Sequence, residues 1–123
     1  MTTSGAAIVE LRRVAWVTDV SRPGDIVGAA YSAAKRADDS LVESAATQLR
    51  PHGVACLAVY PGLVRTEGVM QFAEHLDLTG SQSPEGVGRA IAAMADDPEL
   101  MALSGRPVSV AKLVLRYGVD ATR

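Results

Sequence analysis

Along the chain, unbroken apolar runs alternate with stretches in which apolar residues return every three or four positions, and the two patterns predict strands and helices in turn. Val14-Ala-Trp-Val17 follows Arg12-Arg13 and ends at Thr18-Asp-Val-Ser21 and the breaker pair Pro23-Gly24, which predicts a buried strand. From Ala29 to Arg50 there is neither Gly nor Pro. Over that stretch Ala30, Ala33, Ala34, Ala37, Leu41, Ala45 and Leu49 recur at helical spacing, which predicts one long helix. Pro51-His-Gly53 stops it, and Val54 to Val59 is a continuous apolar run closed by Pro61-Gly62, the pattern of a parallel strand covered on both faces. Strand, helix and strand in this order make a right-handed βαβ unit.

The second half is read the same way. Thr66 to Leu76 predicts a short helix of mixed polarity, and Gly80-Ser-Gln-Ser-Pro84 a loop. Ser83 then caps a further helix with Pro84 in its first position. Val87, Ile91 and Met94 lie on one face, and Asp96-Asp-Pro98 ends it. Ser104-Gly105 turns the chain into a last strand, Pro107 to Val110, followed by a short helix from Ala111 to Tyr117. Gly5 to Leu11 fits either a helix or a strand. With 123 residues the chain makes a single domain. One Trp, three Tyr and one Phe leave its core to Ala, Val, Leu and Ile, which suits helices packed closely on a sheet.

Charge and cysteine content narrow the partners. A net charge of -2 with acidic and basic residues interspersed offers no footprint for nucleic acid or for an anionic membrane surface. The single cysteine, Cys56, sits within an apolar run, so no disulfide can form within the chain, and a buried inert thiol in a reducing, cytoplasmic setting is expected. Thr2-Thr-Ser-Gly5 lacks the basic start of a signal peptide, and no apolar run is long enough to cross a bilayer, so a soluble, unprocessed protein is expected.

The candidate chemistry begins at Tyr31-Ser-Ala-Ala-Lys35. Residues four apart share a helix face, so a phenol and an ammonium can converge on one ligand. An ammonium about 4 Å from a phenolate, at an effective dielectric near 20, favours the anion by roughly 4 kcal/mol before desolvation. That is enough to make a phenol a usable general acid and base near neutral pH. Alone, Tyr-x-x-x-Lys is a common coincidence on helix surfaces. Here the helix starts directly after Gly28-Ala-Ala, which puts Tyr31 near the carboxyl ends of the strands, where ligands bind in doubly wound sheets. The next strand ends in Tyr60-Pro-Gly-Leu-Val-Arg-Thr66, whose Gly62 lets a backbone approach a ligand and whose Thr66 offers a hydroxyl.

Tyr31-Ser-Ala-Ala-Lys35, the helix exit Leu49-Arg-Pro-His-Gly-Val54 and Pro61-Gly-Leu-Val-Arg-Thr66, in this order and spacing, resemble the C-terminal half of a short-chain dehydrogenase/reductase over residues 12 to 118. The tail motifs Leu103-Ser-Gly-Arg106 and Leu115-Arg-Tyr-Gly118 resemble one branch of that family. The resemblance implies an NAD(P)-dependent oxidoreductase acting on a small-molecule alcohol or carbonyl. It implies Tyr31 as the catalytic acid/base, and Lys35 as the group that favours its phenolate and binds the nicotinamide ribose. Pro61, Gly62, Val64 and Thr66 would surround the nicotinamide end of NAD or NADP. The family's substrate-holding serine, thirteen residues before the tyrosine, falls at Thr18, which supplies the same hydroxyl; Ser21 would serve only with a shorter loop.

Two departures shape the expectation. The glycine-rich turn that holds the cofactor pyrophosphate in these enzymes has no counterpart before Arg12, where Gly5 is the only glycine. The expected fold is therefore α/β, a partial Rossmann-like parallel sheet of about three strands with flanking helices, without the N-terminal nucleotide-binding half. An open edge at the first strand and an uncovered Ala-rich helix face then predict a homo-oligomer or a complementing N-terminal half. A second reading is a non-catalytic remnant that associates through that helix. The remaining polar residues are read as structural: His52 and His75 as solvated and not metal ligands, and Trp16 as core. Asp38-Asp39 is read as helix surface, Asp96-Asp97 as a helix end, and Arg65 as a solvated loop residue or a contact to substrate or phosphate.

Overall fold

The computed structural model describes residues 13–17 and 28–123. Three parallel strands, β1 (Arg13–Val17), β2 (Ala55–Tyr60) and β3 (Pro107–Ser109), lie in the order β1-β2-β3. Val17 pairs with Val59, and Val59 in turn with Val108. The helices are α1 (Ala29–Leu49), α2 (Glu67–Met70), α3 (Pro84–Ala93) and α4 (Val110–Tyr117). The predicted partial parallel sheet with flanking helices is the observed one. The undecided stretch Gly5 to Leu11 falls outside the described residues, as does the side chain of Trp16.

Why β2 reads as an unbroken apolar run follows from the period of a strand, which sends alternate side chains to opposite faces. Cys56 and Ala58 pack with Val42 and Ala46 of α1. Ala55, Leu57 and Val59 face the other way, into a larger cluster with Val87, Ala90, Met94, Leu100, Val110 and Leu113. One layer therefore holds α1 and the other holds α3 and α4, and the strand between them carries no polar side chain before Tyr60.

Local chemistry sets the element ends. After α1 the chain makes a 3-10 turn at Arg50–His52, and Gly53 takes the left-handed conformation at φ 70° that closes such ends. Ser83 caps α3 by accepting the Gly86 N–H at 2.9 Å, with Pro84 next to it, as the sequence predicts. The helix expected over Thr66 to Leu76 instead breaks into α2 and a 3-10 turn at Ala73–His75. Its largest apolar side chains are left exposed, Met70 at 45% and Phe72 at 61%, so packing adds little to four capped residues.

The tail motifs are structural. Ser104 Oγ accepts the Cys56 N–H at 2.9 Å, and Gly105 N–H donates to the Cys56 carbonyl at 2.8 Å, which continues the edge of β2 before β3 begins. Gly105 sits at φ 85°, and a Cβ there would stand 3.3 Å from that of Ala46, so both backbone geometry and the closeness of α1 favour glycine. Asp97 stands at a helix end, as expected, and is buried there. It accepts from Arg116 Nε at 2.8 Å, Tyr117 Oη at 2.6 Å and the Glu99 N–H at 2.8 Å. Its pKa is held down at about 2, first by the Arg116 bond and then by Tyr117. Its side-chain partners lie 19 and 20 residues away, so the local sequence gives the helix end but not what the carboxylate holds.

Residues after α4 return over the start of α3, where Ser83 N–H donates to the Ala121 carbonyl at 2.9 Å. A Cβ on Gly86 would collide with the Ala121 backbone, whereas one on Gly88, a half-turn on, meets open space. The two glycines of α3 therefore predict opposite outcomes. Alanine in a helix interior gains about 0.5–1 kcal/mol over glycine, so Gly88→Ala should raise stability by about that much. Gly86→Ala should lower it by about 1–3 kcal/mol, the usual cost of overpacking. Urea unfolding of both variants checks this, and two stabilised variants would mean that the tail does not pack there.

Candidate active site

Tyr31 stands in the first turn of α1 and is 48% exposed. Gly28 is the N-cap, and its carbonyl accepts the Ser32 N–H at 3.1 Å. Lys35, one turn on, extends back along the helix so that Nζ lies 5.7 Å from the centre of the Tyr31 ring. A cation over a tyrosine face at an exposed site is worth about 0.5–1 kcal/mol. Asp38 approaches the same ammonium, Oδ2 to Nζ, at 3.6 Å. The predicted phenol and ammonium therefore do meet on one helix face, on the half-exposed start of the helix.

The next step along that face ties the pair to the sheet. Asp39 lies four positions after Lys35, on the same ridge of α1. Its Oδ2 accepts from Tyr60 Oη at 2.6 Å, a charge-assisted bond from the last residue of β2 to the helix. The residue after Tyr60 is Pro61. The loop that resembles the family's cofactor segment thus starts next to the strand residue that is bonded to α1 four positions, about 6 Å along the helix axis, after Lys35. Asp39, expected as plain helix surface, is half-buried and joins strand to helix.

From Pro61 the chain leaves the sheet and pairs with residue 82. Gln82 N–H donates to the Leu63 carbonyl at 2.8 Å, and its own carbonyl accepts the Arg65 N–H at 2.8 Å, making a parallel bridge at Val64. The Gln82 side chain adds a third bond, Oε1 accepting from the Gly62 N–H at 3.0 Å. Val64 packs against the main core cluster, Pro61 is half-buried, and Gly62 and Thr66 are exposed. Thr66 caps α2, accepting the Val69 N–H at 3.3 Å.

Arg65 has partners within the fold that the sequence does not reveal. Its Nη1 donates to Ser81 O at 2.6 Å and to Ser81 Oγ at 2.8 Å, and its Nη2 donates to the Thr122 carbonyl, so the guanidinium fastens the loop to the tail. Thr18 and its alternative Ser21 lie outside the described residues. His52 and His75 are both exposed, and among the described residues no group of three or more His, Cys, Asp or Glu could hold a metal. No described helix is long and apolar enough to cross a membrane. Cys56 is buried, and burial pushes its thiol pKa up.

Three residues of this arrangement escaped the sequence reading. Asp39 and Tyr60 carried a faint signal, one at the next helical step after Lys35 and the other at the strand end before Pro-Gly. Gln82 carried none, because its partners lie about twenty positions upstream.

Comparison with known proteins gives this geometry its context. The family model for short chain dehydrogenase matches residues 14–77, which run from β1 through α1, β2 and the Pro61–Thr66 loop to just beyond α2. Dehydrogenase/reductase SDR family member 1 of Mus musculus is 34% identical over 116 residues, covering 81% of this chain, and its Homo sapiens counterpart is 28% identical over the same length. The chain spans 37% of the length of these relatives. Among solved structures, a 3-oxoacyl-[acyl-carrier protein] reductase with bound NAD from Brucella melitensis superposes with a TM-score of 0.62 at 22% identity, over 82% of this chain and 40% of that one. Its fold is the one described above. A family model that spans more than half of the chain and encloses Tyr31, Lys35 and Pro61–Thr66, together with these relatives, establishes that the chain belongs to the short-chain dehydrogenase/reductase family.

Proposed function

We propose that this chain carries the proton-transfer side of an NAD(P)-dependent oxidoreductase that interconverts a small-molecule alcohol and its carbonyl compound. The observation that carries the reading is the Lys35 ammonium, 5.7 Å from the Tyr31 ring, on a helix start joined through Asp39 and Tyr60 to the Pro-Gly loop. In the reducing direction Tyr31 Oη gives its proton to the carbonyl oxygen, and in the oxidising direction the Tyr31 phenolate takes the proton of the alcohol. Lys35 opposes the phenolate with its positive charge and hydrogen-bonds the nicotinamide ribose. Thr18 holds the substrate oxygen.

The loop suits a ligand. The nearest atoms that a Cβ at Gly62 would meet among the described residues belong to the Gln82 side chain, none nearer than 3.7 Å, so packing within the described residues does not require glycine there. Its small size is left to serve an approaching ligand. Pro61, Gly62, Val64 and Thr66 would hold the nicotinamide end of NAD or NADP. When bound, the nicotinamide supplies or accepts the hydride.

Turnover in this reading also needs the glycine-rich nucleotide-binding portion of the family fold, in the same polypeptide or in a second one. A second copy of the chain is the other partner we propose. Ala30, Ala34, Ala37 and Leu41 form an exposed apolar stripe along α1, the surface on which a non-catalytic interaction module would also rely.

Titration of the chain with NADH and with NADPH, followed by nicotinamide fluorescence, tests the proposal. Saturable binding of at least one is expected. If neither binds, with the chain alone or with the nucleotide-binding portion added, the enzyme reading fails and the interaction module takes its place.

A further inference from the structure

A loop that leaves a sheet must still satisfy its backbone N–H and C=O groups, and the means by which it does so decide its shape. For the segment after β2, three of these bonds fall on one residue, Gln82. Its backbone pairs with the Leu63 carbonyl and the Arg65 N–H, both at 2.8 Å. Its side chain reaches to the loop's outer end, where Oε1 takes the Gly62 N–H at 3.0 Å. The neighbouring residue, Ser81, receives the Arg65 guanidinium at both its carbonyl and its hydroxyl. The backbone bridge would survive substitution, since any residue other than proline can make it. The bond to Gly62 depends on a side-chain acceptor of glutamine's length.

We propose that Gln82 is a positioning residue for the cofactor loop: by accepting the Gly62 N–H at its side chain while pairing Leu63 and Arg65 at its backbone, it holds Gly62 and Thr66 in the form that receives the nicotinamide. This rests on the function proposed above. It makes Gln82 a determinant of cofactor affinity with no contact to the reacting atoms.

Three forms of the chain separate the possibilities: wild type, Gln82→Leu, which removes the acceptor at similar size, and Gln82→Glu, which keeps it. Amide exchange at Gly62, read by NMR without cofactor, should quicken by about fivefold in Gln82→Leu, the equivalent of one lost hydrogen bond of ordinary strength. It should return to the wild-type rate in Gln82→Glu. The NADH dissociation constant should rise by a similar factor in Gln82→Leu and recover in Gln82→Glu at high ionic strength, where the added charge is screened. The urea midpoint should fall in Gln82→Leu by no more than that one bond is worth and stay near the wild-type value in Gln82→Glu. Unaltered exchange in Gln82→Leu overturns the inference, and so does faster exchange with unaltered NADH affinity. A wild-type chain that binds neither NADH nor NADPH, alone or with the nucleotide-binding portion added, removes the functional reading and with it the cofactor half of the inference; exchange at Gly62 then decides the loop half.

Discussion

Tyr31→Phe should lower the rate of NAD(P)-linked carbonyl reduction by about 10²–10⁴-fold, the usual contribution of a positioned general acid. The substitution removes one oxygen and keeps the ring, so the Lys35 ammonium retains the aromatic face it now covers at 5.7 Å. Because the side chain is 48% exposed, the stability of the fold should move by less than about 0.5 kcal/mol. Cofactor affinity should hardly change, because the hydroxyl meets the substrate and not the nucleotide. The measurement is kcat in the assembly that turns over, alongside the NADH dissociation constant. A kcat within threefold of wild type would remove Tyr31 from the reaction, whatever else the loop does.

A second large effect is expected far from that site, at Asp97. Asp97→Ala leaves Arg116 and the Tyr117 hydroxyl without their shared acceptor. Breaking a fully buried ion pair costs about 3–5 kcal/mol. Arg116 is 38% exposed and also lies 3.8 Å from Glu99 Oε2, so it can turn to water and to that carboxylate. The expected loss is therefore smaller, about 2–3 kcal/mol, mostly the charge-assisted bonds. The pH dependence has a definite sign. The carboxyl is held at about 2 in the fold against an ordinary 3.8, so its contribution is complete above the ordinary value and fades as pH falls toward the folded one. The stability gap between wild type and Asp97→Ala, read from urea midpoints, should be wide at neutral pH and should narrow between about pH 4 and pH 2. A gap that stays constant across that range would show that packing, and not the charge, accounts for the loss.

These two residues differ in how visible they are from the sequence. Tyr31 and Lys35 are four apart in the chain and four apart on the helix, so the geometry that makes them a pair is local and could be read directly. Asp97 reads as a helix end from its own neighbourhood, Asp96-Asp-Pro98, and it is one. Nothing there points to Arg116 and Tyr117. The latter belong to the motif that resembled one family branch, and the structure gives that resemblance a physical content: Leu115-Arg-Tyr-Gly118 supplies both side-chain donors to Asp97, and Leu103-Ser-Gly-Arg106 extends the edge of β2.

Arg65 shows the same limit from the other side. By sequence it sits between two residues expected at the cofactor, which made a ligand contact a reasonable expectation. In the fold its guanidinium is engaged by Ser81 and Thr122, 16 and 57 positions away. The helix expected from Thr66 to Leu76 failed for a related reason. Its spacing and polarity allowed a helix, but helix length depends on a surface to pack against, and Met70 and Phe72 stay exposed.

The sequence by itself determined the βαβ order, the parallel sheet, the Ser83 cap and the pairing of Tyr31 with Lys35. Each rests on periodicity or on neighbours within about one helical turn, where chain geometry leaves little choice. Only the tertiary structure decided that Tyr60 ties the end of β2 to α1 through Asp39, that Gln82 and Arg65 hold the loop, and that Asp97 is a buried anion. A hydrogen bond between residues 16 or more positions apart depends on how the layers are stacked. The same Asp, Arg or Gln would read identically in the chain whether its partner were a distant side chain or water.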